Sequence, residues 1–121
     1  MKRYVAWNEV GQFIHAVGDN CDVTNLDWVY ALPRGGLVLA VMISHRYNIP
    51  LLLAPTTNSL IIDDICDSGE SLLHYFKNSS SEDQTARPVI MTMFAKKNNL
   101  VTPDYYLFEK ENDWIVFPWE E

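Results

Sequence analysis

The sequence has few basic residues, and this scarcity narrows the kinds of partner that the protein can bind. Its 121 residues include 9 lysines and arginines against 16 acids, which gives a formal net charge of −7. Non-specific nucleic-acid binding needs basic surface to neutralise phosphates, so we expect no nucleic-acid partner. Much of the negative charge lies late in the chain, where it favours solubility.

Cysteine and histidine are also scarce. The two cysteines, Cys21 and Cys66, are far apart and form no CxxC pattern, and the three histidines do not cluster in sequence. We therefore expect two reduced cysteines, at least one of them buried, and no zinc site.

Long hydrophobic runs are absent as well. The longest, around Leu37 to Ile43, is too short to span a bilayer, and the first residues lead into a mixed segment rather than a signal-peptide core. We therefore expect a cytoplasmic protein with no membrane partner. The length suits one domain, residues 1–121, with a core that needs no disulfide or metal.

The sequence does contain alternating strand and helix patterns. Short apolar runs bounded by turn residues predict strands at 27–32, 49–54, 60–62, 88–95 and 105–108. Apolar residues at helical spacing predict helices at 7–18, 37–46 and 70–77. The second helix is apolar enough to be buried, 78–85 is a solvated connection, and the aromatic tail is extended. The alternation predicts an α/β domain with a mainly parallel sheet, whose ligands bind beyond the carboxyl ends of its strands.

A glycine pair follows the first of these strands, in the stretch Pro33-Arg34-Gly35-Gly36. Glycines let backbone N–H groups approach an anion, and a helix N-terminus adds partial positive charge. Arg34 adds donors suited to phosphate oxygens. The alternative is a plain strand-to-helix turn with a surface arginine, and a glycine pair alone does not decide between them.

The most unusual stretch is LIIDDICDSGES, residues 60–71. Asp63 and Asp64 are predicted to end a buried strand, where their carboxylates would repel each other unless hydrated magnesium or sugar hydroxyls lie between them. The turn from Asp67 to Ser71 offers hydroxyl and N–H donors for a phosphate. The alternative is an Asp/Ser helix cap with solvated acids, which explains Asp67 and Ser68 but not the interrupted strand.

These stretches resemble the type I phosphoribosyltransferases. The family signature has an apolar strand, two acids, two mostly apolar residues and Asp-Thr-Gly-x-Thr, and PRGGL looks like the family's pyrophosphate loop. The later FAKK and the tail DWIVFPWEE are similar to the xanthine-guanine branch, so the resemblance runs in order from about residue 27 to 120. It implies the family's fold, with a short C-terminal hood segment.

The resemblance implies a site for phosphoribosyl pyrophosphate, with Mg²⁺ as cofactor. Asp63 and Asp64 would meet the ribose hydroxyls and the magnesium, and together with Asp67 they are the candidate catalytic residues. The pyrophosphate would be held by Arg34, Gly35 and Gly36. The 5′-phosphate would be wrapped by Asp67, Ser68, Gly69, Glu70 and Ser71.

The resemblance also implies a purine subsite. Asp67 would face the purine near N7, Lys96 would donate to an exocyclic oxygen, and Trp114 would stack on the ring beside Ile115. Without the resemblance, Lys96 is better interpreted as a solvated surface lysine, and Trp114 as a core or interface aromatic.

The sequence departs from the family pattern in three places. Ser68 and Ser71 replace threonines, which keeps the hydroxyls. Glu70 places an acid in the phosphate loop. Active members carry a long lid before the acidic strand that closes over the site, but only residues 55–59 stand there, so the lid is essentially missing.

Two functions are therefore weighed. The first is a purine phosphoribosyltransferase that acts on a 6-oxopurine (guanine, xanthine or hypoxanthine) and releases pyrophosphate. The second is a nucleotide-binding module of the same fold with weak or no catalysis, which the short lid and Glu70 favour. We also expect a homo-oligomer, in which a neighbouring subunit covers part of the site. A purely structural domain would leave the acidic strand end unexplained.

Overall fold

The computed structural model describes residues 1–52, 59–70, 88–97 and 100–120. The strands are β1 (Lys2–Tyr4), β2 (Trp28–Ala31), β3 (Leu51–Leu52), β4 (Ser59–Cys66), β5 (Val89–Ala95), β6 (Tyr105–Glu109) and β7 (Trp114–Val116). The helices are α1 (Trp7–Asn20) and α2 (Leu37–Tyr47), with 3₁₀ turns at Val23–Asn25 and Pro118–Glu120. The predicted connection 78–85 and, apart from Glu70, the predicted helix 70–77 lie outside the described residues.

Five strands form one sheet in the order β3-β2-β4-β5-β6, and each neighbouring pair is parallel. The chain leaves β2 in one direction to reach β3, then returns past β2 to form β4. This reversal makes a topological switch point between the carboxyl ends of β2 and β4, where ligands of open α/β sheets bind. The predicted parallel α/β fold is confirmed.

Helix α1 forms where the apolar spacing predicted it. Its buried face consists of Val10, Phe13, Ile14 and Val17. Burying each of these side chains stabilises the fold by roughly 1.5–3 kcal/mol. The Glu9 carboxylate accepts the Ala6 N–H at 3.0 Å and so satisfies one donor of the first turn.

Helix α2 is less buried than its composition predicted. Leu39, Ala40 and Ile43 are fully buried, whereas Leu37 and Val41 are 41% and 42% exposed. A helix on one face of a sheet covers only one stripe of its surface, so an apolar residue on the opposite stripe remains in solvent. No helix in the described ranges is long and apolar enough to cross a membrane.

Strand β4 is longer than predicted. We expected it to end before Asp63, but it runs from Ser59 to Cys66 and pairs with β5 as far as Cys66 and Ala95. The two aspartates therefore lie inside the strand, which corrects the prediction. The reason is tertiary, because backbone pairing with β5 overrides the low strand preference of aspartate.

A second sheet has two strands. The extended tail was predicted, but its pairing with the first residues of the chain was not. Here β1 pairs in parallel with β7, with Lys2 opposite Trp114 and Arg3 opposite Ile115. We call this pair the hood sheet. The Arg3 guanidinium lies 5.1 Å and 4.9 Å from the ring centroids of Phe94 and Phe108, which attaches the hood sheet to β5 and β6.

Candidate active site

The loop after β2 packs directly on β4. The Leu32 N–H donates to the Ile62 carbonyl at 3.0 Å. A methyl group at Gly36 would overlap that same carbonyl oxygen, and one at Gly35 would overlap the Asp64 carboxylate. The peptide bond between Pro33 and Arg34 is cis. The structure thus brings together the predicted pyrophosphate loop and the predicted acidic pair.

Asp63 and Asp64 form a crowded carboxyl pair. Asp63 Oδ1 accepts the Asp64 N–H at 2.9 Å, and Asp64 Oδ1 accepts the Ile65 N–H at 2.8 Å. Burial, followed by the hydrogen bond with Asp64 and its negative charge, raises the pKa of Asp63 to about 8. Near neutral pH the pair therefore keeps a proton that a cation or hydroxyl donors could replace.

The carboxyl pair suits magnesium better than a metal held by protein ligands alone. Among the described residues, no three or more His, Cys, Asp or Glu side chains are grouped to hold a metal ion. Mg²⁺ is usually bound through one or two carboxylates, with waters and substrate oxygens completing its octahedron. Asp63 and Asp64 fit this donor set, because their crowded carboxyls gain when a cation replaces the proton.

The turn after β4 has a fixed shape. Gly69 has a φ of +84°, and a methyl group there would lie 2.7 Å from the Val101 nitrogen. The Leu100 N–H donates to the Ser68 carbonyl at 2.8 Å, and the Glu70 N–H donates to Ser68 Oγ at 3.2 Å. The turn is therefore held in place by the segment at residues 100–101.

This turn lines an open cleft of about 110 Å³. The cleft is bounded by Asp63, Ile65, Cys66, Asp67, Ser68, Gly69 and Glu70. The side chains of Asp67, Ser68 and Glu70 are exposed. Ser71, the last residue predicted for the 5′-phosphate, lies outside the described residues.

Asp67 lies next to two lysines. Lys96 Nζ is 4.0 Å from Asp67 Oδ1, and Lys110 Nζ is 3.6 Å from Asp67 Oδ2. The Lys96 N–H donates to the Cys66 carbonyl at 2.9 Å, and the Lys110 N–H donates to the Ala95 carbonyl at 2.8 Å. The residues following β4, β5 and β6 thus form a row along the carboxyl edge of the sheet.

Sequence reasoning missed Lys110. A signal was available, because Lys96 directly follows the predicted strand 88–95 and Lys110 comes two residues after the predicted strand 105–108. Parallel neighbouring strands bring such residues to one edge. The order of the strands was not deducible from the sequence, so the place of Lys110 was not predicted.

Three other predicted site residues lie apart from this row. Arg34 is exposed, and its guanidinium pairs with no side chain in the described part of the chain. Trp114 is on the hood sheet with 72% of its surface exposed, and its backbone N–H donates to the Met1 carbonyl at 3.0 Å. Ile115 is only 6% exposed and belongs to the hydrophobic core. The side chain of Ile115 is therefore covered by the core and not open to a ligand.

Both cysteines are free, as predicted, and Cys66 is buried. Its thiol donates to the Val101 carbonyl at 3.2 Å. Burial, followed by the negative charges of Asp63 and Asp67, raises the pKa of the Cys66 thiol to about 11. Cys66 is therefore a neutral packing residue beneath the cleft and a poor nucleophile.

The fold and site define a parallel α/β protein with a glycine-rich loop after β2, an acidic pair in β4 and a tight turn after β4, all near one switch point. No protein-family model matches the chain. A curated relative, the xanthine-guanine phosphoribosyltransferase of Chromohalobacter salexigens, is 22% identical over 139 residues, which covers 96% of this chain and 82% of the relative.

Solved structures give a stronger likeness. The purine phosphoribosyltransferase of Pyrococcus horikoshii superposes with a TM-score of 0.81 at 28% identity, covering 99% of this chain and 94% of that one. The xanthine-guanine-hypoxanthine phosphoribosyltransferase of Helicobacter pylori gives 0.80 at 20% identity, with the same coverage of 99% and 94%. A Neisseria gonorrhoeae protein with bound ppGpp gives 0.71 at 18% identity over 100% of this chain and 91% of that one. The chain therefore has the type I phosphoribosyltransferase fold, and its likeness is to the xanthine-guanine branch.

Proposed function

We propose that this protein is a purine phosphoribosyltransferase, a glycosyltransferase that moves the 5-phosphoribosyl group from phosphoribosyl pyrophosphate to a 6-oxopurine. The observation that carries the proposal is the contact between Gly35 and the Asp64 carboxylate. This contact places the glycine loop beside the carboxyl pair at the switch point. The loop would bind the pyrophosphate of the substrate, and the carboxyl pair would bind its ribose hydroxyls. The likeness to purine phosphoribosyltransferases supports the proposal.

The sugar side of the reaction breaks the bond between the anomeric carbon and the pyrophosphate oxygen. Cationic character develops on the ribose, and negative charge develops on the leaving pyrophosphate. Arg34 and the N–H groups at Gly35 and Gly36 would stabilise that negative charge. Asp63 and Asp64 would hold Mg²⁺ and the ribose hydroxyls, and the ion would supply charge neutralisation for the pyrophosphate.

The base side forms the new bond from N9 of the purine to the anomeric carbon. As that bond forms, the proton on N7 must leave, and the exposed Asp67 carboxylate is the group assigned to receive it. Lys96 would donate to the oxygen on C6, and Trp114 would stack on the ring. Ile115 would contribute through its backbone, since its side chain is in the core.

The turn at Asp67 to Ser71 would bind the 5′-phosphate through backbone N–H groups and serine hydroxyls. The Glu70 N–H donates to Ser68 Oγ at 3.2 Å and would exchange that bond for one to the phosphate. The Glu70 side chain is exposed. The acid therefore need not enter the phosphate subsite, although its charge opposes that of a phosphate dianion across a short distance.

A nucleotide-binding module without efficient catalysis is the second candidate. Glu70 at the phosphate turn favours it, as does the structural likeness to the ppGpp-bound protein of N. gonorrhoeae. The short lid at residues 55–59 also favoured it, but only Ser59 of that stretch is among the described residues.

The deciding experiment incubates the protein with Mg²⁺, phosphoribosyl pyrophosphate and each of guanine, xanthine and hypoxanthine, and measures nucleotide and pyrophosphate. We expect equal amounts of both products, and a loss of turnover in Asp67→Asn. Wild-type turnover no higher than that of Asp67→Asn would overturn the proposed enzymatic activity. Calorimetry with guanosine monophosphate and with ppGpp then tests the binding module, which requires saturable heat from one of them.

A cytoplasmic homo-oligomer is part of the same proposal. Two exposed aromatic residues, Tyr4 on the hood sheet and Trp7 at the start of α1, provide apolar surface for a second copy. Sedimentation equilibrium should give a mass at least twice that of the chain, and a monomer at micromolar concentration would contradict it.

A further inference from the structure

We propose that Lys110 is a positioning residue of the base site, which holds the Asp67 carboxylate in the orientation that meets the purine. The inference rests on the proposed function and adds to it a residue that the family resemblance did not supply. It depends on the placement of three strand ends and on the burial of one lysine.

The location of Lys110 is fixed by the sheet. It follows β6, and its N–H bonds to the carbonyl of Ala95, the residue before Lys96. Lys96 in turn bonds to the carbonyl of Cys66, the residue before Asp67. Because each of these bonds links neighbouring strand ends, the backbones of Asp67, Lys96 and Lys110 cannot shift independently.

The two lysines approach different oxygens of Asp67. Lys110 Nζ lies 3.6 Å from Oδ2, with only 13% of its side chain exposed. Lys96 Nζ lies 4.0 Å from Oδ1, with 47% of its side chain exposed. Lys110 is thus the nearer and the less hydrated of the two, so its interaction with Asp67 is less screened by water.

Burial also limits what Lys110 can do elsewhere. A mostly buried ammonium requires nearby acceptors, and Lys110 has the Asp67 carboxylate together with the Glu111 carbonyl at 3.3 Å. The neighbouring Lys97 differs, because its side chain is 73% exposed and it pairs with Glu109 at 3.5 Å. The contrast indicates that Lys110 contacts Asp67 because of its position at the sheet edge, and not only because a lysine is attracted to any nearby carboxylate.

This arrangement divides the work between the lysines. Lys110 fixes the carboxylate from the protein side, and Lys96, on the more exposed side, meets the oxygen of the base. Asp67 then presents one orientation to N7, and less ordering is needed when the purine binds.

The test compares Lys110→Gln with Lys97→Gln, a matched loss of one positive charge from a nearby surface. For Lys110→Gln we expect kcat/KM for the purine to fall about 10- to 100-fold, while KM for phosphoribosyl pyrophosphate stays within about twofold. Lys97→Gln should remain within about twofold in both, and Lys110→Arg should recover most of the loss. A loss that lies in the KM for phosphoribosyl pyrophosphate, or no difference from Lys97→Gln, would overturn the proposal.

A double-mutant cycle separates positioning from a general structural role. If Lys110 acts through Asp67, Lys110→Gln should have little further effect on guanosine monophosphate affinity in an Asp67→Asn background. An undiminished further loss would overturn the proposal. Should Lys110→Gln fail to fold, Lys110→Met and Lys110→Arg make the same comparison, with thermal unfolding as the check.

The outcomes also distinguish failure of this inference from failure of the proposed function. If the wild type shows no turnover but binds guanosine monophosphate, the proposed enzymatic activity is wrong. The affinities of the Lys110 and Lys97 variants for that nucleotide then decide the role of Lys110. If the wild type neither turns over nor binds a purine nucleotide, both proposals are overturned.

Discussion

The two halves of the site are built in different ways. The proposed sugar side, made of Gly35, Gly36, Asp63 and Asp64, depends on close backbone approach and on half-buried acids. The proposed base side depends on long side chains, those of Lys96 and Lys110 after the carboxyl ends of β5 and β6 and that of Trp114 on the hood sheet. The first half should therefore be sensitive to added volume, and the second to lost charge or lost stacking surface.

The largest expected effect comes from adding volume where only backbone can yield. Gly36→Ala places a methyl group on the Ile62 carbonyl, so β4 or the loop must shift. We expect the free energy of unfolding to fall by about 2–4 kcal/mol. Urea denaturation measures this, with Gly11→Ala as control, since nothing lies within 4 Å of a methyl group at Gly11. The control should be neutral or stabilised by up to about 1 kcal/mol, and equal losses in both variants would contradict the contact.

Gly35→Ala adds the same volume against a side chain instead. Its methyl group displaces the Asp64 carboxylate, which can rotate away at little cost to the fold. We expect kcat/KM for phosphoribosyl pyrophosphate to drop about 100-fold, with the unfolding free energy changed by less than about 1 kcal/mol. Steady-state kinetics and urea denaturation measure the two effects. Full activity would show that Asp64 is not required in its present place.

Asp63→Asn tests the crowded acids through pH. The pKa of Asp63 is raised from 3.8 to about 8 in the folded state, so between these values the folded state holds a proton that the unfolded chain has lost. The unfolding free energy of the wild type therefore falls as pH rises towards 8. The variant does not show this fall, because asparagine has no carboxyl proton to lose. We expect the unfolding free energy of the variant to gain about 2 kcal/mol relative to wild type between pH 5 and about pH 6.5, at about 1.4 kcal/mol per pH unit. A difference in unfolding free energy that stays constant across this pH range would contradict the raised pKa of Asp63.

Trp114→Ala gives the smallest effect and belongs to the base side. Because the ring is 72% exposed, its removal should leave stability within about 0.5 kcal/mol. If it stacks on the purine, KM for the base should rise about 10-fold while KM for phosphoribosyl pyrophosphate is unchanged. Ile115→Ala is the counterpart, since loss of a core residue should cost about 2–4 kcal/mol of stability. An unchanged purine KM in Trp114→Ala would remove the tryptophan from the base site.

The fold was predictable where local pattern and tertiary environment agree. Helix α1 follows its apolar spacing, and β2 and β5 lie close to their predicted bounds. The prediction was wrong for the end of β4, where pairing with β5 carries the strand through two aspartates. It also missed β1, because a three-residue strand has too few residues to show a period.

The sequence alone determined which chemical groups are available: a glycine pair after a strand, two adjacent aspartates, and a turn of hydroxyls after a third. Those groups are local, because they depend on residue type and on spacing along the chain. Tertiary structure alone decided that Gly35 packs against Asp64, that Ile115 is in the core, and that Lys110 reaches Asp67. These facts depend on the order β3-β2-β4-β5-β6, which brings together strand ends that are far apart in the chain. Strand order is set by the total packing of the core, and no short stretch of sequence encodes it.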